Sequence, residues 1–448
     1  MAQKKIKNNI TIGFVPLGCP KAIVDSERML AQIAQANYII TGDPNNADVV
    51  IINTCGFIEP AKLEALEEIA KALENKRKHK VGKVIVAGCL AQRLGRGLAQ
   101  LAKGIDAIVT LDQRDNIANI IAETLNSKEV TYYPSHADSA VIDDKTRLLI
   151  TPPHWAYLRI SEGCDHRCSF CTIPAIRGPF KSKPPEHIIE EAKQLADSGV
   201  LELNIIAQDT GWYGKDMKLK NGLSVLLKQL EKIDPIQWLR LMYIYPAGIT
   251  DQLIETIAQS KKIAHYLDMP IQHISDRILK DMRRPERKAS IRKLIEKLRN
   301  RIPDIAMRTT VIVGFPGETE DEFNELIDFV KEIKFDALGA FTYFPETGTD
   351  AAKMPSQLPQ QIKDQRFEKI MLTQQQIAFD KNRQRKGSNL KCLVDSVDPH
   401  GNAQGRIYAQ APDIDSICII ENCSAQPGQF INTHVCGYKD YDLILKQI

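Results

Sequence analysis

The chain contains 448 residues, of which 43% are hydrophobic and 26% are charged. This balance is typical of a globular protein and excludes a mainly disordered chain, which requires low hydrophobicity and high net charge. A formal net charge of +3 is too small to indicate a nucleic-acid-binding protein from total charge alone. No apolar run reaches the roughly 18 residues that span a bilayer. No signal-like apolar stretch follows the basic residues 1–9, so we expect a cytoplasmic protein with no membrane partner.

Residues 10–125 alternate short apolar runs with amphipathic stretches rich in Ala, Glu and Lys. Such alternation indicates βαβ units and a parallel sheet. We therefore predict an α/β fold that begins with an open parallel α/β domain over residues 1–135. Residues 126–153 are polar with little periodicity, and we interpret them as a linker or excursion.

A second alternation extends from residue 156 to about residue 345 and contains six apolar runs with helical stretches between them. Six such units favour a full or partial β/α barrel of the TIM type, which we place at residues 150–380. From residue 389 onward, short alternating runs are separated by Gly and Pro. This pattern predicts a small all-β unit over residues 387–448, a five-stranded barrel of the OB-like kind.

The clearest motif consists of Cys164, Cys168 and Cys171, which are spaced C-x3-C-x2-C directly after the apolar run Ala156–Ile160. Clustered cysteines in a reducing compartment point to metal binding or catalysis rather than to disulfides. Three thiolates on one tight loop do not complete the four-cysteine set of an ordinary iron–sulfur cluster, so one iron stays open to an outside ligand. The alternatives are three buried thiols or a zinc site, although zinc prefers four ligands. A loop after the first barrel strand lies at the mouth where such barrels carry active sites.

A second trio consists of Cys19, Cys55 and Cys89, each of which directly follows a predicted strand. The carboxyl ends of parallel strands lie at one edge of a sheet, where open α/β sheets bind ligands. We therefore expect these three side chains to meet in space and to hold a second cluster with its own open iron. The alternative is three unrelated buried thiols at strand ends.

The C-x3-C-x2-C motif resembles that of the radical S-adenosylmethionine superfamily. Two cysteine trios followed by a small β-barrel resemble the methylthiotransferases, whose C-terminal barrel is called a TRAM domain. Within that family the segments Leu17–Lys21 and Gln208–Thr210 resemble the RimO type, which modifies an aspartate of a ribosomal protein. The branch that modifies transfer RNA usually has Gln-Met-Asn after the first cysteine. Three positions differ from the usual RimO pattern: Ala22, Lys183 and Trp212.

The resemblance implies an enzyme, a radical methylthiotransferase that carries two 4Fe–4S clusters and binds S-adenosylmethionine. The implied metal-ligating and catalytic residues are Cys164, Cys168 and Cys171 for the radical cluster and Cys19, Cys55 and Cys89 for the auxiliary cluster. Phe170 matches the aromatic position whose backbone lies near the adenine. The other implied cofactor contacts are Gln272, Arg308 and Gly314, for which a buried ion pair at Arg308 and a simple turn at Gly314 are the alternatives.

The same resemblance implies methylthiolation of the β-carbon of an aspartate in a small-subunit ribosomal protein of the uS12 type, with a reductant protein as a second partner. Residues 387–448 contain four basic and seven acidic residues. A barrel that grips RNA should be basic, so this acidic barrel favours a basic protein partner, with Asp413 and Asp415 as surface charges of that contact.

Two other functions stay open from the sequence. The first is methylthiolation of an adenosine in transfer RNA by the same chemistry. The second is a non-catalytic iron–sulfur scaffold or electron carrier, which would need neither two open irons nor a six-unit barrel.

Overall fold

A computed structural model describes residues 10–134 and 143–448. The basic N-terminal segment 1–9 and the middle of the polar excursion at residues 126–153 lie outside the described residues. No helix within the described ranges has the length and apolar composition that crossing a bilayer requires.

The first sheet is entirely parallel, and its strand order is β2-β1-β3-β4-β5-β6. Its strands are β1 (Thr11–Pro16), β2 (Ile39–Thr41), β3 (Val49–Thr54), β4 (Lys83–Gly88), β5 (Ala107–Val109) and β6 (Thr131–Tyr133). The helices of this region are α1 (Pro20–Gln35), α2 (Glu59–Arg77), α3 (Cys89–Leu94), α4 (Leu98–Leu101) and α5 (Ile117–Asn126).

Both faces of this sheet are buried. Alternate residues of a strand point to opposite faces, so Val50 and Ile52 of β3 join the apolar cluster under α2, whereas Val49 and Ile51 join the cluster under α1 and α5. A parallel sheet covered on both faces explains the uninterrupted apolar runs in the sequence. The predicted open parallel α/β fold is confirmed.

The central sheet is also parallel, with the order β14-β13-β12-β11-β10-β7, and it does not close between β7 and β14. It is therefore the partial form of the predicted β/α barrel. Its strands are β7 (Trp155–Arg159), β10 (Glu202–Ile206), β11 (Trp238–Leu241), β12 (Ile263–Asp268), β13 (Ala306–Val313) and β14 (Ala337–Thr342). A separate two-stranded sheet consists of β8 (Ser161–Glu162) and β9 (Lys181–Ser182).

Helices lie between and after these strands, as the alternation predicts, and two short ones, α6 and α10, were not among the predicted stretches. They are α6 (Ile173–Arg177), α7 (Pro185–Asp197), α8 (Gly222–Leu230), α9 (Asp251–Gln259), α10 (Asp276–Asp281), α11 (Lys288–Arg301), α12 (Glu320–Ile333) and α13 (Gln360–Arg385). Thr319 begins α12 with a capping box, in which its hydroxyl accepts from the Glu322 amide and the Glu322 carboxylate accepts from the Thr319 amide.

The C-terminal strands form a closed five-stranded barrel in the order β15-β16-β17-β19-β18, as predicted. These strands are β15 (Asn389–Val397), β16 (Ala403–Ile407), β17 (Cys418–Ile420), β18 (Phe430–Lys439) and β19 (Asp442–Gln447). Closure leaves no free edge on which another strand could pair.

By compactness the chain forms two units. The first contains the residues up to Ile150 together with Glu162–Asp165 and Thr172–His187, and the second contains the central sheet and the C-terminal barrel. The three-domain division at 1–135, 150–380 and 387–448 stays a prediction from the sequence, because compactness groups the chain differently.

Within the second unit, a buried charge network joins the C-terminal barrel to the first strands of the central sheet. Glu202 of β10 accepts hydrogen bonds from Arg240 of β11 at 2.8 Å and from Arg406 of β16 at 2.7 Å. Arg406 also donates to both oxygens of Asp395 at 2.7 and 2.9 Å, and His154 contacts the same carboxylate at 2.8 Å. The side chains of Glu202, Arg240 and Arg406 are at most 3% exposed, so each charge depends on its partners for compensation.

The acidic residues proposed for partner binding also belong to this junction. Asp413 accepts a hydrogen bond from the Tyr157 hydroxyl at 3.2 Å. Asp415, whose side chain is only 4% exposed, accepts from Tyr266 at 2.8 Å and from Arg308 at 3.3 Å. The prediction of a surface charge available to a partner is therefore wrong for Asp415, because Tyr266 and Arg308 of the central sheet already bind it. Asp413 is exposed, and its role in partner binding stays a prediction.

Replacing Arg406 with Gln should lower the free energy of unfolding by about 3–5 kcal/mol, because Glu202 and Asp395 would lose a buried cation that both contact. The matched control is Arg301→Gln, since Arg301 makes a two-pronged ion pair with Glu255 at 2.7 and 2.8 Å on the surface of the same unit. We expect that control to leave the melting temperature nearly unchanged. Calorimetry of the full chain measures both, and equal melting temperatures would contradict a structural role for the buried network.

Candidate functional site

The first cysteine trio lies at the carboxyl edge of three adjacent strands. Cys55 and Cys89 directly follow β3 and β4, and Cys19 is the N-cap residue of α1, which follows β1. Gly18 has a φ of +105°, and a Cβ atom built on it would lie 3.1 Å from the Cys55 Cβ. The glycine therefore lets the chain pass against Cys55, and the structure brings the trio to one edge of the sheet, as expected.

The three thiols affect one another electrostatically. Burial raises the pKa of Cys89 to about 12, Arg177 opposes this shift, and charge on Cys19 and Cys55 adds to it. The pKa of Cys55 is also raised, first by burial and then by Cys19. Metal ligation requires thiolates, so holding Cys55 and Cys89 ionised calls for positive charge beside them. An iron cluster provides that charge, and the donor set of this edge therefore fits one.

The described residues provide no site for a single metal ion. In the ranges 10–134 and 143–448, no group of three or more His, Cys, Asp or Glu side chains lies close enough to hold one ion. A four-iron cluster is larger than a single ion, so its thiolate ligands stand farther apart. All ten cysteines are free of disulfides, which leaves both trios available as ligands.

Arg177, at the end of α6, contacts this trio directly. Its Nη2 atom donates to the Cys89 Sγ at 3.3 Å and to Asp25 of α1 at 3.1 Å. Its Nη1 atom donates to Glu162 at 3.0 Å, and the side chain is only 3% exposed. A buried guanidinium thus lies beside Cys89, the buried thiol of this trio.

The ion pairs continue away from Arg177 through buried groups. Asp25 also pairs with Arg114, and Arg114 pairs with Asp144 at 3.2 Å. The amine of Lys183 reaches the second oxygen of Asp144 at 2.6 Å, and both side chains are at most 1% exposed. Lys183, whose role the sequence left open, is thus an ion-pair partner at the far end of this series.

The motif cysteines 164, 168 and 171 lie on the loop between β8 and α6, after the first strand of the central sheet. The start of this loop has a tightly constrained backbone. Gly163 has a φ of +75°, and a Cβ atom on it would overlap the Pro179 carbonyl oxygen at 2.0 Å. The Cys164 amide donates to the Gly178 carbonyl at 3.1 Å, and the Asp165 carboxylate accepts from the Phe180 amide at 3.0 Å.

The second half of the loop is held by the second unit. The Ser169 hydroxyl donates to the Asp281 carbonyl at 2.7 Å, and its amide donates to the Met282 carbonyl at 3.2 Å. The Cys171 amide donates to the Cys168 carbonyl at 3.1 Å, which closes a turn between these two cysteines. Hydrogen bonds from backbone and side-chain groups on both halves therefore fix the loop.

Three of the predicted cofactor contacts lie in the second unit. The ring of Phe170 packs against an apolar cluster, and Gln272 follows β12 and pairs with Val311 of β13. The Gln272 side-chain oxygen is buried without a hydrogen-bond partner among the described residues. Gly314 ends β13 with a φ of +72°, and a Cβ atom on it would lie 2.4 Å from the Lys363 side chain. An unpartnered buried acceptor beside the ends of β12 and β13 fits a ligand that donates hydrogen bonds, as the amine and ribose of S-adenosylmethionine do.

The fourth predicted contact, Arg308, lies in β13 and has two carboxylate partners. Its guanidinium pairs with Asp268 at 3.2 Å and with Asp415 at 3.3 Å. This is the buried ion pair that was the alternative for Arg308 from the sequence.

Sequence reasoning missed Arg177 and the residues around Cys168. Arg177 follows Cys171 by six positions and carries no motif of its own. Asp209, which lies 2.7 Å from the loop residue His166, belongs to the segment Gln208–Thr210 that resembles the RimO type, and that resemblance was the one available signal.

Comparison with known proteins shows extensive similarity over the whole chain. A ribosomal protein uS12 methylthiotransferase RimO from Citrifermentans bemidjiense is 42% identical over 98% of this chain and 98% of its own length. The protein of the same name from Pelotomaculum thermopropionicum is 46% identical over 97% of this chain and 98% of its own length. The chain belongs to the RimO family.

The parts of this RimO-family chain match three domain families. Residues 158–330 match the Radical SAM superfamily, residues 11–110 match Uncharacterized protein family UPF0004, and residues 387–448 match the TRAM domain. Among solved structures, the radical S-adenosylmethionine methyltransferase TsrM from Kitasatospora setae is similar, with a TM-score of 0.54 over 75% of this chain and 73% of that one. Its sequence identity of 13% shows a shared fold alone.

Replacing Arg177 with Met should lower the free energy of unfolding by about 3–5 kcal/mol, because Asp25 and Glu162 would keep buried charges without this cation. Arg177→Lys should lower the free energy of unfolding by less, because the lysine amine keeps the positive charge but does not reach Cys89, Asp25 and Glu162 together. The measurement is thermal unfolding of the iron-free protein.

The matched control is Lys71→Gln, which removes a surface ion pair with Glu68 in the same unit. If Arg177→Met had the same melting temperature as the control, Arg177 would not be needed to compensate the buried carboxylates.

Proposed function

We propose that this protein transfers a methylthio group to the β-carbon of an aspartate in ribosomal protein uS12, by radical chemistry that uses S-adenosylmethionine. The observation that carries this proposal is the pair of cysteine trios, each placed after strands of a different parallel sheet. Full-length similarity to relatives named uS12 methylthiotransferases supports the target.

We further propose that two 4Fe–4S clusters are bound. Cys164, Cys168 and Cys171 would hold the radical cluster, and Cys19, Cys55 and Cys89 would hold the auxiliary one. Each trio leaves one iron without a protein thiolate. When bound, these groups supply one-electron cleavage of S-adenosylmethionine at the first cluster and a site for the transferred sulfur at the second.

The chain's own residues would orient the cofactor. Gln272 would accept a hydrogen bond through its buried side-chain oxygen, and Phe170 would pack its backbone along the adenine. Gly314 would contact the cofactor through its backbone, since the space on its Cβ side is filled by the Lys363 side chain. Arg308 was predicted as a fourth contact, and its two carboxylate partners support a role in holding the C-terminal barrel instead.

The partners proposed are the basic ribosomal protein and a reductant protein. The acidic residues that remain exposed on the C-terminal barrel are fewer than the sequence count suggests, and Asp398, Glu421 and Asp440 are among them. Three lysines of the barrel, Lys391, Lys439 and Lys446, are exposed as well, so the names of the relatives support a protein partner more strongly than the barrel's charge does.

In a strain that lacks the gene, uS12 should carry no methylthio group, and the wild-type chain should restore it. A chain with Cys19, Cys55 and Cys89 all replaced by Ala should still cleave S-adenosylmethionine when reduced, since the other trio is intact, but it should give no modified uS12. Mass spectrometry of ribosomal proteins and transfer RNA from these strains makes the measurement.

The matched control for that experiment is Cys436→Ala, which removes an exposed cysteine of the C-terminal barrel and should leave modification complete. Methylthiolated transfer RNA together with unmodified uS12 would replace this proposal with the RNA-modifying one. Full uS12 modification by the triple variant would show that the first trio holds no sulfur.

A further inference from the structure

An aromatic clamp surrounds the histidine of the C-x3-C-x2-C loop. His166 Nε2 lies 2.7 Å from the Asp209 carboxylate. Its ring stacks on the Tyr245 ring, with the centroids 4.1 Å apart and an angle of 5° between the planes. The centroid of the Trp212 ring lies 4.3 Å from that of His166. These four residues, which we call the His166 clamp, all belong to the second unit. The clamp gives a role to Trp212, which departs from the usual RimO pattern.

Tyr245 connects this clamp to a cluster ligand. Its hydroxyl lies 3.4 Å from the Cys168 Sγ, within hydrogen-bond distance for sulfur. The hydroxyl is the stronger donor of the two, and once Cys168 is a thiolate the sulfur acts as the acceptor. Stacking on His166 fixes the plane of the phenol ring and therefore the direction of its hydroxyl.

Arg284 covers the Tyr245 ring. Its guanidinium carbon lies 3.7 Å from the ring centroid, and its side chain is fully buried. The guanidinium is held in place by the Pro270 carbonyl at 2.9 Å and by Glu286 at 3.3 Å. A cation over a phenol ring draws electron density from it, and a phenol depleted of electron density donates a stronger hydrogen bond.

Hydrogen bonds to cluster sulfurs are among the factors that set the reduction potential of an iron–sulfur centre. A donor stabilises the reduced form more, because reduction adds negative charge to the cluster and its thiolates. Inside a buried site the effect is larger than in water, since little solvent screens it.

We propose that Tyr245, oriented by His166 and polarised by Arg284, donates a hydrogen bond to the Cys168 thiolate and raises the reduction potential of the radical cluster. This inference rests on the proposed function, because it requires a cluster on Cys164, Cys168 and Cys171. Tyr245 is a positioning residue in this account, since it acts through the ligand Cys168.

The test uses full-length protein in which Cys19, Cys55 and Cys89 are Ala, so that one cluster gives the signal. Tyr245→Phe in this background should shift the midpoint potential to a more negative value. We expect about a tenfold change in the reduction equilibrium, or about 59 mV for a one-electron couple. Redox titration followed by electron paramagnetic resonance, without S-adenosylmethionine, makes the measurement.

The matched control is Tyr408→Phe in the same background. It removes a hydroxyl that donates to the Asp304 carbonyl at 2.9 Å and leaves the midpoint unchanged in this account. A second variant, Arg284→Lys, keeps the phenol and the positive charge, which also acts directly on Cys168, but loses the planar stacking on Tyr245. Its midpoint should shift in the same direction as that of Tyr245→Phe and by a smaller amount, which keeps the test decisive if Tyr245→Phe binds less iron.

Two adverse outcomes are distinguishable. A loaded cluster whose midpoint is unchanged in Tyr245→Phe and Arg284→Lys would overturn this inference alone. A background protein that binds no iron would overturn the proposed radical cluster, and this inference with it.

Discussion

A buried series of ion pairs runs from Lys183 through Asp144, Arg114 and Asp25 to Arg177, and the N-terminal unit depends on it. Cations and carboxylates alternate along the series, and none of these side chains is more than 5% exposed. Removing one partner would leave a charge buried without compensation, which costs far more than the loss of a surface pair. The series therefore behaves as one structural element although its members come from distant parts of the chain.

This dependence has a consequence for the first cysteine trio. The series ends at Arg177, whose guanidinium also contacts the Cys89 thiol. Three thiols must lose their protons to bind iron, and the charge on Cys89 is buried, whereas Cys19 is exposed. A guanidinium fixed by Asp25 and Glu162 supplies positive charge there without competing for the metal, since Arg does not act as a base in proteins.

Carboxylates of the C-terminal barrel also have hydrogen-bonding or cationic partners within the protein. Asp413 and Asp415 accept hydrogen bonds from Tyr157 and Tyr266 of the central sheet, and Asp395 pairs with Arg406 of the barrel itself. An excess of carboxylates in a short segment is therefore no measure of its surface potential. The barrel is a fixed part of the second unit, and any contact with a partner must use its remaining exposed residues.

The sequence predicted the two parallel sheets and the closed barrel because alternation of apolar runs is a local property. The meeting of Cys19, Cys55 and Cys89 followed from one topological rule, that ends of neighbouring parallel strands share an edge. The contacts of Arg177 were beyond such reasoning, since its partners Cys89 and Asp25 lie 88 and 152 positions away. Asp144 lies in a stretch interpreted as a linker or excursion, and its burial depends on Arg114 and Lys183, which no local pattern connects to it.

The stoichiometry of iron and acid-labile sulfide tests the central claim of two cysteine-bound clusters most directly. The wild-type chain, reconstituted without oxygen, should hold about eight irons, and each triple Cys→Ala variant should hold about four. Cys436→Ala should hold as much iron as the wild type, since its exposed thiol belongs to neither trio. About four irons in the wild-type chain, unchanged by replacing Cys19, Cys55 and Cys89, would contradict the account.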